Sequence, residues 1–158
     1  MTWIGELDIE YDSSTFDTDP FEPVPVGVGT AFPFWVGCRD GGRQGYVELP
    51  YTVPQDFTLF VLLGMNDIYV WQKKVEWLAE KNAMVLLNAH PDYMWEGGQR
   101  RRVDEYPVGL YVSFLRWIRC RWKGRYWLAL PSEVARFWVE RYVRGKERDG
   151  GAEGVGVR

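Results

Sequence analysis

His90 is the only histidine among 158 residues. It closely follows Ala83-Met84-Val85-Leu86-Leu87, a continuous apolar run, and sits in the polar cluster Asn88-Ala89-His90-Pro91-Asp92-Tyr93. An imidazole titrates near neutral pH, so one placed at the end of a buried strand can take or deliver a proton. The same position also suits a histidine that only ends a strand by hydrogen bonding, and position alone does not separate the two. A second cluster, Tyr11-Asp12-Ser13-Ser14, closes the short run Ile9-Glu10-Tyr11 in the same manner. In parallel α/β architectures functional groups gather where strands end, at the carboxyl edge of the sheet. Asp12 and His90 are therefore the two candidate catalytic residues.

Other chemistries are poorly supplied. A catalytic zinc site takes three protein ligands, usually with more than one imidazole, and a single histidine falls short. Asp12, Asp17, Asp19 and Asp92 match no calcium-loop spacing. No complete metal site is expected within the chain. Cys38 and Cys120 form no Cys-x-x-Cys pair, and both are expected to pack in a protein of a reducing compartment. Gly27-Val28-Gly29 lacks the context and the lysine of a phosphate-binding loop. The stretch from Arg116 to Arg125 interleaves bases and aromatics as nucleic-acid binders do. It lies where a helix should end, however, and cations there complement the carbonyl end of the dipole. With a net charge of −3, no nucleic-acid partner is expected. Arg100-Arg101-Arg102 reads as a solvated loop, or else as a positive lip over a polar ligand.

The elements that position these clusters follow from periodicity. Val47-Glu48-Leu49 reads as a short strand stopped by Pro50, and Thr52-Val53-Pro54-Gln55 as a capped helix start with Phe57, Phe60 and Val61 inward. Asn66 or Asp67 caps a helix over 67–81 whose Ile68, Trp71, Val75 and Leu78 recur at helical spacing. Ala83–Leu87 is too short for a helix and apolar on both faces, which predicts a parallel strand covered on each side. Further helices are predicted over 107–122 and 132–143, with a strand at 126–129 between them. Residues 13–44, rich in Ser, Thr, Asp, Pro and Gly, read as a long ordered loop. Strands alternating with helices make βαβ units. The fold class is α/β, a partial (β/α) barrel of about four parallel strands, because a complete eight-stranded barrel needs about 250 residues.

Composition agrees with a folded chain. Hydrophobic residues make up 46% and aromatic ones 16%, ample apolar area to offset chain entropy. No apolar run is long enough to span a membrane, and the first residues lack the basic start and apolar core of a secretory leader. A cytoplasmic protein without a membrane partner is expected. Charge is uneven: residues 1–38 carry seven acids and no base, whereas 100–148 carry thirteen bases and five acids.

Four ordered segments resemble one family. Tyr11-Asp12-Ser13-Ser14 with Asp17-Thr18-Asp19-Pro20-Phe21-Glu22-Pro23, the run Glu48 to Phe60, Leu86-Leu87-Asn88-Ala89-His90-Pro91-Asp92-Tyr93, and Leu130 to Trp138 are similar to the later half of polysaccharide-deacetylase-like proteins, the NodB-homology carbohydrate esterases. The resemblance covers about residues 3–142. It implies half of a distorted seven-stranded (β/α) barrel, from enzymes that hydrolyse acetyl groups, mainly N-acetyl amides, on carbohydrates. Their divalent, zinc-type metal is held by an aspartate and two histidines in early motifs that this chain does not contain. By carry-over His90 protonates the leaving group and Asp12 orients a partner arginine. Asn88 stands where the family's last motif has leucine.

The resemblance divides the chain into a partial domain over 1–144 and a disordered tail over 145–158. Tyr11, Tyr51, Asp56, Asp92, Tyr93 and Trp95 are the expected substrate contacts. The alternative is a non-catalytic carbohydrate- or partner-binding module using the aromatics of the 21–35 loop with Tyr51, Tyr93 and Trp95 as sugar platforms. Half of a barrel leaves strand edges and an apolar flank uncovered. The purified chain is therefore expected to pair with a complementary N-terminal half, self-associate or aggregate. Light scattering checks this, and a monodisperse monomer would show that other segments close the core.

Overall fold

A computed structural model describes residues 4, 7–18, 27–37 and 45–143. Cys38, Asp19, Phe21 and the tail 145–158 lie outside the described residues. The chain divides into two compact units, one built from residues 1–15, 32–50 and 129–158, the other from 16–31 and 51–128.

The first unit is a mixed three-stranded sheet with one helix against it. β1 (Tyr11–Asp12) runs parallel to β3 (Gly45–Glu48), and β2 (Phe34–Gly37) runs antiparallel on the other side of β3. Short strands lie near both expected places and pair with each other in parallel, whereas β2 falls within the stretch read as a loop. The β-favouring run Phe34-Trp35-Val36 overrides the glycines and prolines around it. Gly45 is required at the β2–β3 junction, because a Cβ there would run into the Val36 carbonyl and the Trp35 indole. A helix following Leu130 in this unit packs on β1 and β3 and spans Pro131–Trp138. It starts with proline in its first turn, and its Glu133 carboxylate accepts from the Leu130 N–H at 2.7 Å.

In the second unit α1 (Tyr69–Glu80) buries Trp71, Val75 and Leu78, one stripe of the predicted helix. Asp67 accepts from the Tyr69 N–H at 2.9 Å, the expected start. The helix ends where Asn82 turns left-handed (φ 53°). Ala83 N–H then reaches the Leu78 carbonyl and Asn82 N–H the Ala79 carbonyl, a Schellman closure. That closure reverses the chain into 83–87. α2 (Val108–Arg121) adds Phe114 to the core. Phe60, Trp71, Tyr106 and Phe114 meet ring to ring with centroids 4.7–4.8 Å apart, and the Trp71 indole N–H donates to the Pro54 carbonyl at 2.7 Å. The helix Pro131–Trp138 of the first unit is α3.

Two strand expectations change. Ala83–Leu87 forms no ladder among the described residues, where it makes one isolated parallel bridge, Leu87 to Val53, and Val85 is 40% exposed. Tyr126–Leu130 is no strand: no ladder engages its backbone among the described residues, and Leu128 is 84% exposed. Apolar composition favoured a strand in both places, yet a strand exists only where a neighbour supplies hydrogen bonds. The expected helix start at Thr52 moves to Asp56, which opens a π-helical turn over Phe57–Leu62. Cys120, expected to pack, is exposed and free.

Glu48 is the electrostatic anomaly of the first unit. It is fully buried; Oε1 accepts from the Thr15 N–H at 3.1 Å and the Thr15 hydroxyl at 2.6 Å, while Oε2 has no partner among the described residues. Burial raises its pKa above the ordinary 4.5; the Thr15 hydroxyl opposes this and the Asp12 charge on the adjoining strand reinforces it. Folded Glu48 thus holds a proton that unfolded Glu48 has lost. Its contribution to stability falls as pH rises from about 4.5 through the raised folded value. Glu48→Gln keeps the Thr15 acceptor and removes the charge. In urea titrations its stability advantage over the parent should grow across that window and then level off. A constant difference between pH 4 and 8 would show that Glu48 ionises normally.

Candidate functional site

The second unit builds its polar centre on two segments, 52–55 leading into Asp56 and 84–90, tied side by side. Thr52 does the tying. Its buried hydroxyl donates to the Met84 carbonyl at 2.9 Å and accepts from the Leu86 N–H at 3.0 Å, and its own N–H donates to the Leu86 carbonyl at 2.9 Å. With Thr52 and Val53 held against Leu86 and Leu87, Asp56 arrives beside His90.

Asp56 is fully buried and accepts four hydrogen bonds. Oδ1 takes the Phe57 N–H at 2.9 Å and the His90 Nδ1–H at 2.7 Å. Oδ2 takes the His90 N–H at 2.8 Å and the Tyr106 hydroxyl at 2.9 Å. Four donors match the acceptor capacity of an ionised carboxylate. Since that carboxylate only accepts, the proton between it and the imidazole belongs to Nδ1, and Nε2 is left as the reactive nitrogen. The imidazole is about one-third exposed, and among the described residues Nε2 has no hydrogen-bond partner. The Tyr93 ring flanks it at 5.5 Å and stacks in turn on Phe57 at 4.6 Å.

Tyr106 completes the arrangement from β5 (Tyr106–Pro107), which pairs in parallel with β4 (Met94–Trp95). It is 1% exposed. Burial raises its phenol pKa far above the ordinary 10, and the Asp56 bond and charge act in the same direction. Tyr106 is thus a permanent donor at any pH the fold survives. Its position before Pro107 and the helix start carried no signal for this role.

The predicted site residues divide accordingly. Asp56, His90 and Tyr93 come together. Asp56, expected to touch substrate, is buried with both oxygens engaged, and it holds His90. Asp92 is exposed on the turn Pro91–Tyr93, and its carbonyl accepts from Arg102 at 3.4 Å. Trp95 is partly buried and donates to the Gln99 carbonyl at 2.9 Å. Tyr51 is nearly buried, with its hydroxyl accepting from Gln55 at 3.2 Å and its ring 5.8 Å from Phe16, so it offers little surface as a platform. Tyr11 and Asp12 belong to the first unit, where Asp12 accepts from the Ser14 hydroxyl at 2.9 Å.

No three His, Cys, Asp or Glu side chains gather as metal ligands among the described residues. The Nδ1 of the sole histidine is already committed to Asp56. Among the described residues, these side chains therefore do not fit a zinc-type ion by themselves. Among the described residues no helix is long and apolar enough to cross a membrane. Comparison with family profiles, with curated proteins and with solved structures finds no match to this chain.

The geometry orders the cost of breaking the centre. Tyr106→Phe removes one donor and should lower stability by about 1–2 kcal/mol, whereas Asp56→Ala strands three donors besides the imidazole and should cost at least about 3 kcal/mol. Urea unfolding checks the order. Nitrogen-15 spectra of the imidazole should show Nδ1 protonated in the parent and the Nε2–H tautomer dominant in Asp56→Ala.

Proposed function

We propose that the chain supplies the proton-transfer half of a carbohydrate deacetylase, acting on acetyl groups and mainly on N-acetyl amides. The observation that carries this is the buried Asp56 carboxylate 2.7 Å from Nδ1 of the partly exposed His90 ring, which leaves Nε2 as the uncommitted nitrogen. A carboxylate behind an imidazole fixes its tautomer and stabilises its protonated form. In the hydrolytic step water adds to the acyl carbon and the bond to the sugar nitrogen or oxygen breaks. In its imidazolium form, with a proton on each nitrogen, His90 gives the Nε2 proton to that departing atom while the base of the complementary half takes a proton from the water. The amine or alcohol thus leaves with acetate, and the imidazole returns to its Nδ1–H form. Asp56 holds the ring through this transfer, and Tyr106 holds Asp56. Asp12 remains the proposed orienting carboxylate for an arginine outside this chain, and Tyr93 the first aromatic contact for a sugar.

The metal and the base of such a hydrolase belong, in this reading, to a complementary half-barrel, and the two halves make the (β/α) barrel together. A reducing, cytoplasmic setting goes with the exposed free thiol of Cys120.

The test pairs the chain with a separately expressed half-barrel carrying the aspartate and two histidines, and follows acetate release from N-acetylated oligosaccharides. His90→Ala should lower kcat by about 10²–10⁴-fold with little change in KM. Acetate release indifferent to His90→Ala would overturn the reading. Saturable oligosaccharide binding without acetate release in any pairing would favour the binding module.

A further inference from the structure

From Tyr106 to Ser132 the chain holds five cations and no acid. Arg116, Arg119, Arg121, Lys123 and Arg125 are all exposed. None has an ion pair among the described residues, unlike Lys73, Lys74, Arg102 and Arg136. They occupy the last turns of α2 and the turn after it, where Arg125 N–H closes on the Trp122 carbonyl at 2.9 Å. The Arg121 and Arg125 guanidiniums lie 4.8 and 5.0 Å from the centre of the Trp122 ring, which holds both at the surface. Around these charges stand exposed apolar groups: Leu115 at 46%, Tyr126 at 43%, Trp127 at 59% and Leu128 at 84%.

Unbalanced cations attract any polyanion. The apolar groups narrow the choice. An exposed leucine adds nothing against a phosphodiester backbone or an acidic sugar polymer, since both stay hydrated. It gains only by leaving water for hydrocarbon. Tyr and Trp settle at the boundary between headgroups and acyl chains, and Arg and Lys reach from there to anionic headgroups. We propose that this face of the second unit docks on an anionic lipid bilayer, lying on the surface without crossing it. The sequence argued against a spanning segment; a docking surface has a different requirement, a mixed patch of free cations and exposed leucine and tryptophan. The observations are independent of the His90 centre. Each cation near such a surface strengthens partition about fivefold.

The full chain, tested by flotation with phosphatidylcholine vesicles containing 0–40% phosphatidylglycerol, should bind the anionic vesicles, not the neutral ones, and release with salt. Reversing three exposed charges together (Arg116→Glu, Arg119→Glu, Lys123→Glu) should lower partition more than a hundredfold. The set Arg116→Gln, Arg119→Gln and Lys123→Gln keeps the test if the reversal disturbs folding. Leu128→Asn, at a position too exposed to support the fold, should weaken binding several-fold while leaving affinity for heparin and single-stranded DNA unchanged, because it removes apolar surface and adds no charge. Failure to bind anionic vesicles, binding that survives loss of the three charges, or indifference to Leu128→Asn would each overturn the proposal. Single-stranded DNA that strips the chain from vesicles at equal charge would do so too, marking a nucleic-acid surface.

Discussion

The second unit depends on one buried carboxylate. Asp56 gathers donors from three separate stretches of chain: the turn that begins at Phe57, the segment ending at His90, and β5 at Tyr106. A buried carboxylate without partners costs several kcal/mol, so the fold must deliver all of these donors or lose the site. Once delivered, they also set the chemistry. The bonds that satisfy Asp56 are the bonds that fix the imidazole tautomer. Stability and reactivity thus rest on the same atoms.

The apolar framework explains how those stretches arrive. Trp71, Phe60, Phe114 and the ring of Tyr106 form one aromatic cluster, and Tyr106 passes its hydroxyl from that cluster to Asp56. Ring packing tolerates only small displacements, which makes the cluster a rigid mount for a hydroxyl. Thr52 performs the matching task on the polar side, using both capacities of one hydroxyl to clip two segments that also share one bridge and the Thr52 and Val53 N–H bonds to the Leu86 carbonyl. The first unit shows the opposite economy. Glu48 is buried with one oxygen unpartnered and Asp12 beside it, an arrangement in which proton uptake relieves what partners do not.

Much of this was legible in residue spacing. The helices α1, α2 and α3 lie close to their expected ranges, because an apolar stripe, a capping residue and a proline are local signals. His90 stood out by being the sole histidine behind an apolar run, and Asp12 by closing a short one. The strands were less legible. Tyr126–Leu130 has strand composition and no strand, and Phe34–Gly37 is a strand inside a stretch with loop composition. Pairing is decided by which backbone lies alongside, a non-local fact that a run of residues does not carry.

By itself the sequence determined where helices start and stop, which face of each is apolar, and that the only imidazole follows an apolar run. These follow from periodicity and side-chain chemistry within a few turns of chain. Only the tertiary structure decided what Asp56 does. Its place in a run resembling a substrate-contacting motif gave no sign that all four acceptor sites would be filled from residues 57, 90 and 106. Tyr106 likewise became part of the site only because ring packing aimed its hydroxyl at that carboxylate. Hydrogen bonds between residues 34 and 50 positions apart depend on how segments are laid side by side, and that arrangement exists only once the core has formed.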